Sequence, residues 1–309
     1  MKREKIIVMG AAIVDVLVRP ASQEIFRTGS YPVEDIHMST GGDALNEATI
    51  LARFGKQVEL RTVIGDDLAG KLVLEHCREA GIALGPDVVR PGMPTGVNVV
   101  LVQENGERGF FTNPHGSLRM LALEDVQGPF PEDAGILCFA SVFVSPKLKA
   151  PELARIFRRA KEQGLVVCAD MTKKKGQETV EELAPALQYL DYLFPNEAEA
   201  CLLTGKTTAE EAAEELFAAG VGHVVVKCGG KGCYVRSREL TGMVPAVDGV
   251  KCVDTTGAGD SFAAGFLYGL SEGDSLAECA GRANRFGARA VASVGATDWS
   301  KGKAPWLSS

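Results

Sequence analysis

The chain has 309 residues, 46% of them hydrophobic, with a net charge of −7 at neutral pH and an isoelectric point near 5.3. That length and apolar content can supply one large core or two modest ones, and the acidic balance argues against a nucleic-acid partner held through phosphate contacts. A small-molecule ligand suits it better.

From the amino terminus, the run MKREKIIVMGAAIVDVLV has the basic-then-apolar order of a signal peptide. Glu4 and Asp15 interrupt it, and Ile6-Ile7-Val8 ending at Gly10 reads better as a first buried strand. No segment reaches the roughly 18 to 20 apolar residues of a membrane span. Cys77, Cys138, Cys168, Cys201, Cys228, Cys233, Cys252 and Cys279 stand apart without a CxxC pair, as buried thiols of a reducing compartment do. The expected location is the cytoplasm.

After the strand at 5–9 the spacing predicts a helix over 44–54 closed by Gly55, a strand over 58–64, and a helix to residue 80, capped by Asp66 or Asp67 and ended by Gly81. Strands at 136–139, 166–169, 192–194 and 224–227 alternate with helices at 151–163 and 209–219. Two long helices, 259–271 and 276–293, end the chain. This alternation is the pattern of an α/β fold, a doubly wound, mostly parallel sheet with helices on both faces, spanning 1–309 as one domain. One part breaks it. The stretch GVNVVLVQENGERGFF holds two β-rich runs around Asn105-Gly106, a strong hairpin signal, and 14–19 and 33–37 are further short strands separated by Thr28-Gly29-Ser30. These pieces are expected to form a small β layer, within about 14–37 and 96–111, placed as a lid over a site. The alternative is an edge hairpin with no function.

Loops that follow the strands of an open α/β sheet carry its ligand. Here they read Gly10 to Asp15; then Gly41-Gly42-Asp43-Ala44-Leu45-Asn46, whose tandem glycines permit close backbone approach; then Asn196 with Glu199 one helical turn on; then Lys227-Cys228-Gly229-Gly230-Lys231-Gly232. Asp15, Asp43 and Asn46 offer the groups that grip hydroxyls, and Asn196 with Glu199 can hold a hydrated Mg²⁺. Thr204-Gly205-Lys206-Thr207 resembles the end of a P-loop, but Ala200 stands where its upstream glycine belongs and it follows a helix. Last comes Asp254-Thr255-Thr256-Gly257-Ala258-Gly259-Asp260. Its small-residue turn feeds a helix start, where bare N–H groups and the helix dipole favour an anion. A carboxylate beside an anion is awkward unless it takes a proton from whatever attacks that anion, as phosphoryl transfer requires. Glycines before a helix with Asp in its first turn are also ordinary capping chemistry, so this segment alone does not decide.

Taken together, these motifs stand in the order and spacing of the ribokinase-like, or PfkB, family of carbohydrate kinases, which the chain resembles over nearly its whole length, most strongly in DTTGAGDSFAAGF. The resemblance implies transfer of the γ-phosphoryl group of ATP to a hydroxymethyl group. It makes Asp260 the base, with the amides of Gly257, Ala258 and Gly259 as the anion hole, and gives the acceptor to Asp15, Gly41, Gly42, Asp43 and Asn46. Asn196 and Glu199 would organise Mg²⁺ and phosphates, Glu199 through water, while Lys227, Gly229, Gly232 and Asn284 line the nucleotide. Asp254 and Thr256, with the 293–295 loop, match a monovalent cation site, so K⁺ activation is expected. Relatives also imply a homodimer paired through the lid.

There are departures. Asp43 stands where relatives commonly have Asn or Lys, and Asp170-Met171-Thr172 replaces a frequent Asp-x-Asn. No lysine or arginine lies in 41–46, where relatives taking phosphorylated sugars commonly place a lysine, so a neutral sugar of the ribose or fructose type is expected. A nucleoside kinase, with Phe110, Phe111 or Phe139 as the wall for a base, is the alternative within the fold. A noncatalytic sensor is another, though a sensor needs no base. Lys173-Lys174-Lys175, Arg108 and His115 have no firm assignment.

Overall fold

Alternate residues of β1 (Lys5–Met9) feed opposite sides of one sheet: Ile6 and Val8 enter one buried cluster, Ile7 and Met9 the other. A strand buried on both faces needs a helical layer on each, and both are present. The computed structural model describes residues 3–104 and 107–302, and the Asn105-Gly106 turn lies outside the described residues.

β2 (Ile13–Arg19) leaves the central sheet, a short helix α1 (Glu24–Thr28) follows, and β3 (Asp35–Gly41) returns to α2 (Asp43–Arg53). The strand expected over 33–37 is therefore shifted and longer, and α1 occupies part of the expected turn. The strand expected over 58–64 is broken into β4 (Val58–Arg61) and β5 (Ile64–Gly65), because β5 turns aside to pair with β7 (Val89–Arg90). Between β5 and β7 lie α3 (Leu68–Ala80), capped by Asp67 through Gly70 N–H, and β6 (Ala83–Leu84). β8 (Val97–Val102) and β9 (Arg108–Thr112) form the expected hairpin arms, and α4 (Leu123–Val126) leads back to the core.

The rest keeps the expected alternation, with the strand expected over 136–139 longer and one unexpected helix, α6: β10 (Ala134–Val142), α5 (Ala150–Glu162), β11 (Val166–Met171), α6 (Val180–Leu187), β12 (Tyr192–Phe194), α7 (Glu197–Thr204), α8 (Ala209–Ala218) and β13 (His223–Lys227). The antiparallel pair β14 (Gly232–Arg236) and β15 (Thr241–Pro245) extends the edge before α9 (Ala258–Glu272) and α10 (Leu276–Val291). The central sheet runs β15-β14-β13-β12-β11-β10-β1-β4-β6, parallel from β13 to β6. One buried face packs α5 through α8 and the other packs α2, α3, α9 and α10. No helix among the described residues is long and apolar enough to cross a membrane.

The second sheet, β3-β2-β8-β9, stands apart from the central one. Cross-strand partners share a face. Asp15, Ser39, Asn98 and Thr112 therefore lie in one row, with Leu17, His37, Val100 and Phe110 in the next row of that face. The opposite face carries Met38, Val16, Val99 and Phe111, then Ile36, Val18 and Leu101.

Candidate active site

From β1 the chain proceeds to β4 and β6 on one side, then crosses to β10 and onward to β13 on the other. The crevice beyond the carboxyl ends of β1 and β10 is thus a topological switch point, where such sheets bind ligands. The three glycine-rich turns expected at a site, at 41–42, 228–232 and 257–259, carry or adjoin residues that border it. Gly42 has φ +97°, and a Cβ there would stand 2.6 Å from Ala11 O, so the backbone crosses the β1–β2 connection at a separation only glycine permits. Asp43 then opens α2, and the Ser141 hydroxyl, at the end of β10, donates to its Oδ2. A cavity of about 710 Å³ fills the crevice, a size suited to a nucleotide. It brings together Asp43, Asn196, Glu199, Lys227, Gly229, Gly232, Gly259, Asp260 and Asn284, together with Ser141 and Asp170.

Gly257 is the left-handed N-cap of α9, with φ +70°, and a Cβ on it would come within 2.6 Å of Ala296. Asp260 follows in the first turn, where Asn46 Nδ2 donates to its Oδ2 at 2.7 Å. Burial, with Asp43 and Asp170 adding like charge, pushes the Asp260 carboxyl up to about 8 against the pull of Asn46 and Lys227. A carboxyl tuned to that range is suited to act as a general base. First-turn amides have no intrahelical acceptor. Of the expected anion-hole donors, the Ala258 N–H donates to Thr255 O at 3.2 Å, a bond it must exchange to receive a phosphoryl oxygen.

Lys227 Nζ lies 3.4 Å from where a side chain on Gly259 would begin, and it donates to both oxygens of Asp170, at 2.6 and 2.8 Å. Burial pulls the ammonium down, but Asp170 and Glu199 outweigh it and hold Lys227 above its ordinary value. It is a fixed cation beside the helix start.

Asp15 stands on the second sheet, outside the lining of this cavity but near Asp43. Asn98 Nδ2 donates to its Oδ1 at 3.1 Å, and Thr112 Oγ1 donates to Asn98 Oδ1 at 3.0 Å. Burial raises the Asp15 carboxyl, Asn98 lowers it, and nearby Asp43 raises it again. Gly41 ends β3 beside this carboxylate. Asn98 and Ser141 are site residues that sequence reasoning missed. Ser141 carried one signal, a lone hydroxyl at the end of the apolar run ILCFASV. Phe139 is a correction: it is 2% exposed inside the core and cannot wall a ligand. Phe110 shares the face of Asp15, whereas Phe111 lies on the opposite one. His115 is exposed on the return loop, and the Arg108 side chain lies outside the described residues.

On the nucleotide side, Asn196 and Glu199 form a reciprocal cap on α7, each side chain accepting the other's backbone N–H at 2.9 Å. The second Glu199 oxygen remains for water or metal. Burial raises Glu199, and Lys227 and Lys173 lower it, so Lys173 bears on the site. Lys174 instead donates to Glu178 O. Among the described residues no group of three or more His, Cys, Asp or Glu side chains is disposed to hold a metal. A Mg²⁺ fits here only as an ion brought by phosphates. Asn284 donates to Val244 O and Pro245 O, tying α10 to β15 at the cavity wall. Asp254 accepts from Thr256 N and Oγ1 and from Gly295 N, which joins the two loops expected at a monovalent cation. Gly205 is the left-handed end of α7, in keeping with rejection of a P-loop there.

The match to known proteins is decided by this arrangement along the whole chain. Residues 3–301 match the pfkB family of carbohydrate kinases. The chain belongs to that family. A bifunctional ribokinase/ribose-5-phosphate isomerase A of Fructilactobacillus sanfranciscensis is 26% identical over 84% of this chain, which spans 47% of that protein, about half its length. The 2-dehydro-3-deoxygluconokinase of Haemophilus influenzae is 27% identical over 86% of this chain and 90% of its own. Among solved structures, Arabidopsis thaliana ribokinase complexed with ribose and ATP superposes with a TM-score of 0.79 at 25% identity, covering 97% of this chain and 96% of that one. This pfkB kinase is an ATP-dependent phosphotransferase.

Proposed function

We infer that this pfkB kinase transfers the γ-phosphoryl group of ATP to the terminal hydroxymethyl group of a neutral sugar of the ribose or fructose type. The observation that carries the reading is the pair Asp15 and Asp43, two carboxylates close enough for Asp43 to raise Asp15 at the acceptor end of the cleft. Each ionised oxygen accepts from a sugar hydroxyl. An acidic sugar would add a third negative charge to a partly desolvated pocket, at a cost of several kcal/mol unless a cation intervenes. Asp260 accepts the hydroxyl proton as the oxygen attacks phosphorus, and the first-turn amides of α9 and Lys227 receive the charge that develops. When bound with the nucleotide, Mg²⁺ neutralises phosphate oxygens, and Asn196 and Glu199 are positioned to hold its waters.

The second sheet acts as a lid on a single kinase domain. K⁺ binds at the Asp254, Thr256 and Gly295 loops and orders the turn at Gly257. The apolar outer face of the lid, where Ile36 and Phe111 are well exposed, pairs two subunits. One observation favours a nucleoside as acceptor: Phe110, 62% exposed, shares the lid face of Asp15 and offers a ring for a base.

A panel of neutral sugars, acidic sugars, sugar phosphates and nucleosides, read as ADP release, tests the acceptor. The expected result is that a ketose or pentose is the best acceptor and that Asp43→Ala raises KM for it by ~10-fold or more, with Asp43→Asn well below that because the amide keeps one acceptor. Preference for a ketogluconate, fructose 1-phosphate or a nucleoside over every neutral sugar would overturn the reading.

A further inference from the structure

Glu47 sits one turn past Asp43 on α2 and is fully buried. Its Oε2 accepts from Cys138 Sγ at 3.3 Å, while Oε1 is the one buried side-chain oxygen or nitrogen among the described residues with no hydrogen-bond partner. An orphan of this kind in a native core calls for an explanation. The groups that face Glu47 are the carboxyls of Asp43 on its own helix, Asp170 on β11 and Asp260 on α9, and the thiols of Cys138 on β10 and Cys168 on β11. The nearby buried ammonium, Lys227, is already held by both oxygens of Asp170.

The carboxyls of Asp43, Asp170 and Asp260 thus all act on the buried Glu47, and the nearby lysine is engaged by Asp170. Negative charge on Asp170 and Asp260 opposes the ionisation of Glu47. An ionised Glu47 would leave a full charge on an oxygen with no donor, whereas a neutral acid leaves only a polar group unpaired. Burial, joined by the charges of Asp170 and Asp260, accordingly drives the Glu47 carboxyl well above its ordinary range, and the Cys138 thiol recovers only part.

We propose that Glu47 is a positioning residue for the phosphoryl transfer, a neutral carboxylic acid that ties the start of α2 to β10 and adds no charge against the ionisation of Asp260. The two ties of α2 to β10 lie one turn apart, Asp43 to Ser141 and Glu47 to Cys138. Between them stands Asn46, the donor to Asp260. A displaced α2 would therefore move the acceptor-binding carboxylate and the partner of the base together. The proposal rests on the assignment of Asp260 as the base, but the protonation of Glu47 can be read without substrate.

The test begins with infrared spectra of the substrate-free protein at about pH 9, above the values of about 7 and about 8 to which Asp170 and Asp260 are raised. A protonated-carboxyl C=O band is expected in the wild type and absent from Glu47→Gln. No such band, or an unchanged band in Glu47→Gln, would overturn the proposal. In turnover, Glu47→Leu, which loses the tie to Cys138, is expected to lower kcat by ~10-fold and to raise sugar KM with it, because Asp43 and Asn46 ride on the same helix and small misplacements of a reacting group are costly. Glu47→Gln is expected to restore most of that loss with the acid limb of kcat/KM unmoved. A limb displaced by about one unit toward acid in Glu47→Gln would show that Glu47 had been ionised, and undiminished kcat in Glu47→Leu would remove the positioning role. If Glu47→Leu fails to fold, the Gln spectra and pH profile still decide. If no acceptor is phosphorylated yet the band appears and is lost in Glu47→Gln, the assigned reaction fails while the neutral acid stands.

Discussion

Asp260 lies where three influences meet: burial, the carboxyls of Asp43 and Asp170, and the amide of Asn46. A base must be ionised to work, so kcat/KM is expected to rise with pH through a limb near the value of about 8 in the free enzyme. Asn46 donates to the charged form, and Asn46→Ala removes that preference. The limb should then move to higher pH, and one that stays in place or moves toward acid would contradict the assigned partnership. Stability follows the same group. Because the folded-state value lies above the unfolded one of 3.8, the folded protein binds the proton more tightly, and this contribution is lost as pH rises from about 4 toward about 8. Asp260→Asn does not titrate, so its melting temperature is expected to exceed that of the wild type at mildly alkaline pH, with the gap closing toward acid; thermal melts across that range check it.

At the scale of elements, the proposed lid is the second sheet, which stands apart from the central one. Its inner face carries Asp15 and Asn98 and its outer rows are apolar and exposed, whereas α2 and α9 are locked into the core. The proposed closure over the acceptor would exclude water that competes for the phosphoryl group. Hydrogen exchange of β8 and β9 is therefore expected to slow at saturating sugar, and unchanged exchange would mark a fixed sheet. The same contrast explains what the sequence made legible. Strands such as Tyr192–Phe194 stood out as short apolar runs between turn residues, and the ends of α3 through its Asp67 cap and Gly81. Two of the hidden features show why. The break after Arg61 depends on pairing between β5 and β7, distant in sequence, and β14 was masked by the glycine-rich turn that begins it. Asp260, Lys227 and Asn196 were legible because backbone-compatible glycines and caps surround them. Asn98, Ser141 and the Lys227–Asp170 ion pair were not, since each depends on which strands become neighbours.

For the whole molecule, the switch in strand order between β1 and β10 gathers residues from most of the chain length into one crevice. The central claim is that Asp260, held by Asn46 at the anion-binding start of α9, is the base for phosphoryl transfer from ATP to a sugar hydroxyl. The most direct measurement compares single-turnover phosphorylation of the best neutral sugar by the wild type and by Asp260→Asn, with nucleotide affinity measured alongside. The account expects nucleotide binding to be nearly unchanged and the rate to fall by at least ~10²-fold, the typical contribution of a positioned base. A near-normal rate in the folded, nucleotide-binding variant would contradict it.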